Sequence, residues 1–166
     1  MEKDRLKNTF TALINDNQGI IYKICYLYAD SDADRQDLYQ EILFRVWQAY
    51  PKFRGDAKFS TWLYQVALNT AFGNKREHKR SIITNTSDGS LPESTYTEIN
   101  EVETERLELL YKAINQLNEI ERAVVLLYLD NKTYEEMETI MGIPNGALRV
   151  KMTRIKEKLK KLTKSE

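Results

Sequence analysis

Tyr134-Glu135-Glu136-Met137-Glu138-Thr139-Ile140-Met141-Gly142-Ile143-Pro144-Asn145-Gly146-Ala147-Leu148-Arg149-Val150-Lys151-Met152-Thr153-Arg154 is the stretch that decides how this chain folds. It reads as a short helix, a turn containing Gly142 and a second helix rich in basic residues, the layout of a helix-turn-helix. Thr133 caps the first helix, Gly142 supplies the left-handed backbone of a sharp turn, and Ile143 plugs the gap between the crossed helices. Pro144 or Asn145 opens the second helix, which continues to about Leu162. Leu148, Met152, Ile155 and Leu159 recur at helical spacing as its buried stripe. Asn145, Arg149, Lys151, Thr153, Arg154 and Lys156 are left on the remaining surface. A helix fits the DNA major groove, and Arg or Lys can reach guanine edges or phosphates from it. A surface helix with ordinary solvated lysines would show the same composition.

Upstream of this stretch, Leu107, Leu110, Ala113, Ile114 and Leu117 predict one amphipathic helix. Ile120 through Leu129 predict a second, with Val124, Val125, Leu127 and Leu129 mostly buried. Residues 106–166 thus read as a four-helix domain. Residues 81–105 differ entirely: they contain no Lys or Arg and are polar, acidic and poorly periodic. They read as a flexible linker.

The first 80 residues are helical again. Phe10, Leu13, Ile14, Ile20, Ile21, Ile24 and Leu27 follow helical spacing, which Asn15-Asp16-Asn17-Gln18-Gly19 either turns or frays. Asp30-Ser31-Asp32 caps the next helix, whose inner side is read as Leu38, Ile42, the stem of Arg45 and Ala49. Pro51 to Lys58 forms a loop with a turn at Gly55-Asp56, flanked by Phe53 and Phe59 as anchors. Ser60 or Thr61 caps a long helix with an apolar face of Trp62, Leu63, Val66, Ala67, Thr70 and Ala71. That helix ends in the basic run 75–80.

Composition agrees with an all-α chain: six glycines and three prolines among 166 residues leave long stretches of helix formers uninterrupted. The formal charge is zero, but its distribution is not even. Residues 1–80 carry 13 basic and 10 acidic residues, a net of +3; residues 81–141 carry 4 and 13, a net of −9. Residues 142–166 carry 8 and 2, a net of +6, so a neutral total hides an acidic middle and a basic end. Cys25 stands alone in an apolar run and reads as a small buried hydrophobe. His78, inside a charged run, reads as solvated or phosphate-facing rather than as a metal ligand. No metal site and no cofactor are expected. The N-terminus lacks a signal peptide's apolar core and no run reaches membrane-span length, so the chain reads as soluble and cytoplasmic.

Both halves together carry a specific set of motifs. They are Asp37-Leu38-Tyr39-Gln40-Glu41-Ile42-Leu43-Phe44-Arg45-Val46-Trp47, Phe53-Arg54-Gly55 and Phe59-Ser60-Thr61-Trp62-Leu63-Tyr64 in the first half. Leu117-Asn118-Glu119-Ile120-Glu121-Arg122, Tyr134-Glu135-Glu136-Met137 and Gly142-Ile143-Pro144-Asn145-Gly146-Ala147-Leu148-Arg149 follow in the second. In order and separation these resemble the extracytoplasmic-function sigma factors, the minimal two-domain type of the sigma-70 family. The resemblance covers roughly residues 8–163.

The resemblance implies an all-α protein of two small domains: residues 1–80, a helical bundle that docks on core RNA polymerase and opens the −10 element, and residues 106–166, a helix-turn-helix domain that reads the −35 element. Residues 81–105, the acidic linker, correspond to the family's connector. Asp37, Gln40, Glu41, Arg45 and Trp47 correspond to the polymerase-docking surface. Lys52, Arg54, Lys58, Trp62, Tyr64, Asn69, Lys75 and Arg76 correspond to the −10 reader. Trp62 and Tyr64, two residues apart on a helix, cannot face the same way, and Trp62 is read as the core residue. Asn145, Ala147, Arg149, Val150, Lys151 and Arg154 correspond to the −35 reader. The implied partners are core RNA polymerase, promoter DNA and, from the family, an anti-sigma factor.

Four positions depart from the family pattern. Glu138 replaces a small residue and suggests a more open helix crossing; Gly73 interrupts the promoter-melting helix; Ala147 and Val150 replace polar residues and suggest apolar contact with a thymine methyl. A helix-turn-helix regulator acting without polymerase would explain residues 134–162 but not the first 80. A helical adaptor with no DNA role would make the basic C-terminal end accidental. An enzyme is not expected, because there is no phosphate-cradling Gly loop and only one His and one Cys.

Overall fold

A computed structural model describes residues 1–81 and 101–164, the side chains of residues 74–81 and 101–104 excepted. The described residues form helices and connecting turns, with no strand among them. Their contacts separate two compact units, Met1–Pro92 and Glu93–Glu166. The division falls within the stretch read as linker, most of which lies outside the described residues.

Unit 1 contains α1 (Glu2–Asp16), α2 (Gln18–Tyr28), α3 (Asp32–Ala49), a 3-10 turn (Tyr50–Lys52) and α4 (Phe59–Ser81). The interruption around residues 15–19 is a one-residue break: the Asn17 amide donates to the Leu13 carbonyl (2.8 Å), closing α1 as α2 begins. Ser31 caps α3 by accepting from the Asp34 N–H (3.1 Å). Helices α2, α3 and α4 pack on one another around Ile21, Ile24, Leu38, Ile42, Val46, Leu63, Tyr64 and Ala67.

Three expectations for this unit are corrected. The inner side of α3 is Leu38, Ile42 and Val46; the Arg45 side chain points outward to Glu41. At four-residue spacing, three fully buried aliphatic side chains win over an arginine stem. Helix α4 begins at Phe59, with the Lys58 carbonyl accepting the first turn's bond from the Trp62 N–H (3.1 Å), so neither Ser60 nor Thr61 is its cap. It then runs through Gly73 without a break.

Unit 2 contains α5 (Glu101–Asn115), α6 (Glu119–Leu129), α7 (Tyr134–Met141) and α8 (Asn145–Lys164). Residues 101–105, read as linker, are thus helical. Helix α8 is the hub, touching α5, α6 and α7. Its Leu148, Met152 and Ile155 meet a core that includes Ile114, Val124, Leu127 and Met137. Leu129, expected inside, is 55% exposed, because the buried run of α6 ends at Leu127 and the helix closes two residues later. Arg122 fastens the α5–α6 corner by donating to the Leu117 carbonyl (3.0 Å) and the Asn115 carbonyl, acceptors that the end of α5 leaves open. Lys158 of α8 pairs with Glu121 of α6 (3.2 Å).

Candidate nucleic-acid and partner interfaces

Helix α3 has an outward face because its inner stripe is complete. Asp37, Glu41, Phe44 and Gln48 follow i, i+4, i+7, i+11, with Gln40 and Arg45 on the flanks. Asp37, Gln40 and Arg45 are exposed, and Glu41 is half-buried beside Arg45, whose Nε donates to it at 2.9 Å. Phe44 is 56% exposed in the middle of this polar face. The sequence reading missed it, although its place seven residues after Asp37 was signal enough. Trp47 is half-buried, its ring edge-on to Phe10 of α1 with centroids 4.8 Å apart. It supports this surface more than it belongs to it.

At the other end of α3 the chain turns through Tyr50–Lys52 into the loop before α4. Gly55 has φ +77°, a left-handed backbone that a side chain would strain, and this lets the loop double back. Phe53, Phe59 and Trp62 cluster at its base: the Phe53–Trp62 centroids are 4.9 Å apart, Phe59–Trp62 5.6 Å and Phe53–Phe59 5.8 Å. All three rings are half-buried, whereas Lys52, Arg54 and Lys58 around them are exposed. Gln65 and Asn69 continue the Trp62 face along α4, and both are exposed.

Tyr64 is 0% exposed and packs in the core of unit 1, while Trp62 remains partly open. This reverses the expectation that Trp62 is the core residue, and it removes Tyr64 from any surface that could touch DNA. The expected apolar face and the observed one share Leu63, Ala67 and Ala71 and differ in their flank; Tyr64 and Leu68 fill it in place of Trp62, Val66 and Thr70. The side chains of Lys75, Arg76 and His78 lie outside the described residues.

In unit 2 the α7–α8 corner is built from its caps. Thr133 accepts from the Glu136 N–H (3.1 Å) and Glu136 from the Thr133 N–H (2.9 Å), a reciprocal capping box. Gly142, at φ +68°, ends α7 and donates its N–H to the Glu138 carbonyl (2.8 Å). Glu138 does not simply hold the helices apart, as its size suggested: its carboxylate accepts from the Asn145 backbone N–H (3.2 Å). Pro144, at the N-cap position, has no side-chain acceptor, so Glu138 satisfies one of the donors exposed at the start of α8.

On α8, Ala147, Val150, Lys151 and Arg154 share one face, and all but the half-buried Lys151 are exposed. Asn145 and Arg149 lie on the flank toward α7. Arg149 Nε donates to Asn145 Oδ1 (2.8 Å), and Asn145 Nδ2 donates to Glu135 Oε1 (3.2 Å). The Arg149 guanidinium also lies over the Tyr134 ring, 4.5 Å from its centroid. Lys156 is exposed, as its place on this surface predicts, and donates to the Tyr128 hydroxyl (3.1 Å), a bond that raises its pKa. The contacts made by Tyr134, Glu135 and Glu138 are not legible in the sequence, which offers Thr133 as the cap and Glu138 only as a bulky residue at the crossing.

The profile of sigma-70 region 2 matches residues 13–81, and that of sigma-70 region 4 matches residues 107–159. The chain is a sigma factor of the sigma-70 family, in its extracytoplasmic-function group. It is 29% identical over 162 residues to the ECF RNA polymerase sigma-E factor of Escherichia coli K12, covering 91% of this chain and 84% of that one. It is 27% identical over 168 residues to the RNA polymerase sigma-H factor of Pseudomonas aeruginosa PAO1, covering 93% and 86%. Its fold resembles that of the sigma factor RpoE in a co-crystal with the anti-sigma factor NepR from Bartonella quintana. That similarity has a TM-score of 0.76 at 18% identity, over 94% of this chain and 97% of that one. It also resembles CnrH in complex with the cytosolic domain of CnrY (TM-score 0.70, 17% identity, 96% and 90%). The sigma factor described here is an alternative one, directing transcription initiation with core RNA polymerase on promoter DNA. Among the described residues no helix is long and apolar enough to cross a membrane, and no group of His, Cys, Asp and Glu could hold a metal ion.

Proposed function

We propose the following division of labour within this sigma factor. The outward face of α3, with Asp37, Gln40, Glu41, Phe44 and Arg45, docks on core RNA polymerase. An exposed aromatic among acidic and amide groups is a common anchor for a charged partner. The loop and the start of α4 open the −10 element. The observation that carries this assignment is the half-open Phe53–Phe59–Trp62 cluster ringed by Lys52, Arg54 and Lys58. Unpaired bases stack on aromatic faces while cations hold the backbone. Helix α8 reads the −35 element through Arg149, Lys151 and Arg154, with Ala147 and Val150 facing apolar base edges.

The chain acts by binding rather than catalysis and works in the cytoplasm, where its polymerase and DNA are. Its regulator is an anti-sigma factor, as supported by the complex in which RpoE is held by NepR. A regulator acting without polymerase gains no support, since it leaves the region 2 match over residues 13–81 without a purpose. The test uses the full chain with core polymerase on a defined promoter. Glu41→Arg should weaken holoenzyme assembly, whereas Trp62→Ala should leave assembly intact and reduce permanganate reactivity of thymines in the −10 element. Loss of assembly with Trp62→Ala, or unchanged opening, would overturn the assignment.

A further inference from the structure

Asn145 stands at the start of the reading helix, where an amide side chain invites assignment as an adenine reader. Such a reader needs both ends of its amide, Oδ1 to accept from the base and Nδ2 to donate to it. Here each end already has a protein partner that fixes the amide's orientation: Oδ1 takes the Arg149 Nε–H at 2.8 Å, and Nδ2 gives to Glu135 Oε1 at 3.2 Å. The backbone N–H of the same residue is held by Glu138. We infer that Asn145 is a positioning residue, which together with Tyr134 and Glu135 of α7 sets Arg149 as the reader of a single guanine in the −35 element.

Three observations converge on Arg149. With Nε committed to Asn145, its two terminal Nη groups form the fork that remains, and a planar fork matches guanine O6 and N7. The ring of Tyr134 lies 4.5 Å from Cζ and supports the guanidinium plane from below. The carboxylates of Glu135 and Glu138 sit at the N-terminal end of α8, where a DNA phosphate would otherwise bind. Their charge disfavours phosphate there and favours a base edge as the target of Arg149. Helix α7, usually a support, thereby contributes to specificity without touching a base.

This inference rests on the −35 reading proposed for α8, and the experiment separates the two. The full chain with core polymerase transcribes a promoter library randomised over the −35 element, and base preference is read at each position. Arg149→Ala and Arg149→Lys should both reduce one guanine preference, by about 5- to 100-fold, because Lys keeps the charge but not the fork. Asn145→Ala and Tyr134→Leu should reduce preference at that same base pair by several-fold, and Tyr134→Phe, which keeps the ring, should restore it. Circular dichroism of each variant confirms that α7 and α8 remain folded. If Asn145→Ala instead erases an adenine preference at a different base pair, or if Arg149→Lys keeps the guanine preference, the inference is overturned while the −35 reading stands. A wild-type chain with no −35 preference would overturn both.

Discussion

Replacing Tyr64 or Trp62 by Ala separates packing from the proposed DNA contact within three residues of one helix. Tyr64 is 0% exposed, and truncating a buried aromatic costs about 3–5 kcal/mol. Small domains hold only about 5–15 kcal/mol in total, and 1 kcal/mol moves Tm by about 4–8 °C at this size. Tyr64→Ala should therefore lower the melting temperature of unit 1 by about 12 °C or more. Trp62 is half-buried, so its truncation should cost only about 1–2 kcal/mol while removing a ring from the aromatic cluster. The assay is intrinsic fluorescence, since both tryptophans, Trp47 and Trp62, lie in unit 1 and report it selectively; Trp47 remains as the probe in Trp62→Ala. Permanganate footprinting of the −10 element is run in parallel. If Tyr64→Ala melts within about 5 °C of wild type yet fails to open the promoter, the burial argument is wrong.

Two further outcomes follow from local geometry. Thr133→Ala removes half of the capping box and should cost unit 2 about 1 kcal/mol, seen as roughly five-fold faster amide exchange in α7; unchanged exchange would refute the cap's role. Burial pushes the Cys25 thiol up to about 12, with Arg35 pulling weakly the other way, so the folded chain keeps a proton that the unfolded chain releases. That stability is whole below pH 9 and is lost as pH rises towards 12, at about 1.4 kcal/mol per pH unit. Urea midpoints of wild type should accordingly fall more steeply over this window than those of Cys25→Ala, and equal slopes would refute it.

Much of the fold was legible because helix periodicity and caps act locally. Ser31, Thr133 and Gly142 each mark a boundary through a bond or backbone conformation that few residue types supply. Of the Leu148–Met152–Ile155–Leu159 stripe the first three are buried, and Leu159, nearer the end of α8, is half-buried. Around α4 the pattern was ambiguous: apolar side chains occupy two adjoining flanks, and only packing against α2 and α3 decides that Tyr64 rather than Trp62 turns inward. Position along the chain likewise could not show that Glu138 bonds across seven residues or that Asn145 faces Glu135 ten residues away. Those contacts exist only once the turn at Gly142 has brought α7 against α8. Sequence therefore located helices α7 and α8, and tertiary structure determined which side chains of α8 face solvent and which are held by α7.

The central claim is tested most directly by reconstituted transcription. The full chain is mixed with core RNA polymerase stripped of other sigma factors and a promoter library, and the 5′ ends of the transcripts are sequenced. The account predicts starts that share −35 and −10 motifs upstream and that vanish when the chain is omitted. A chain that fails to bind core polymerase, or starts that share no upstream motif, would contradict it.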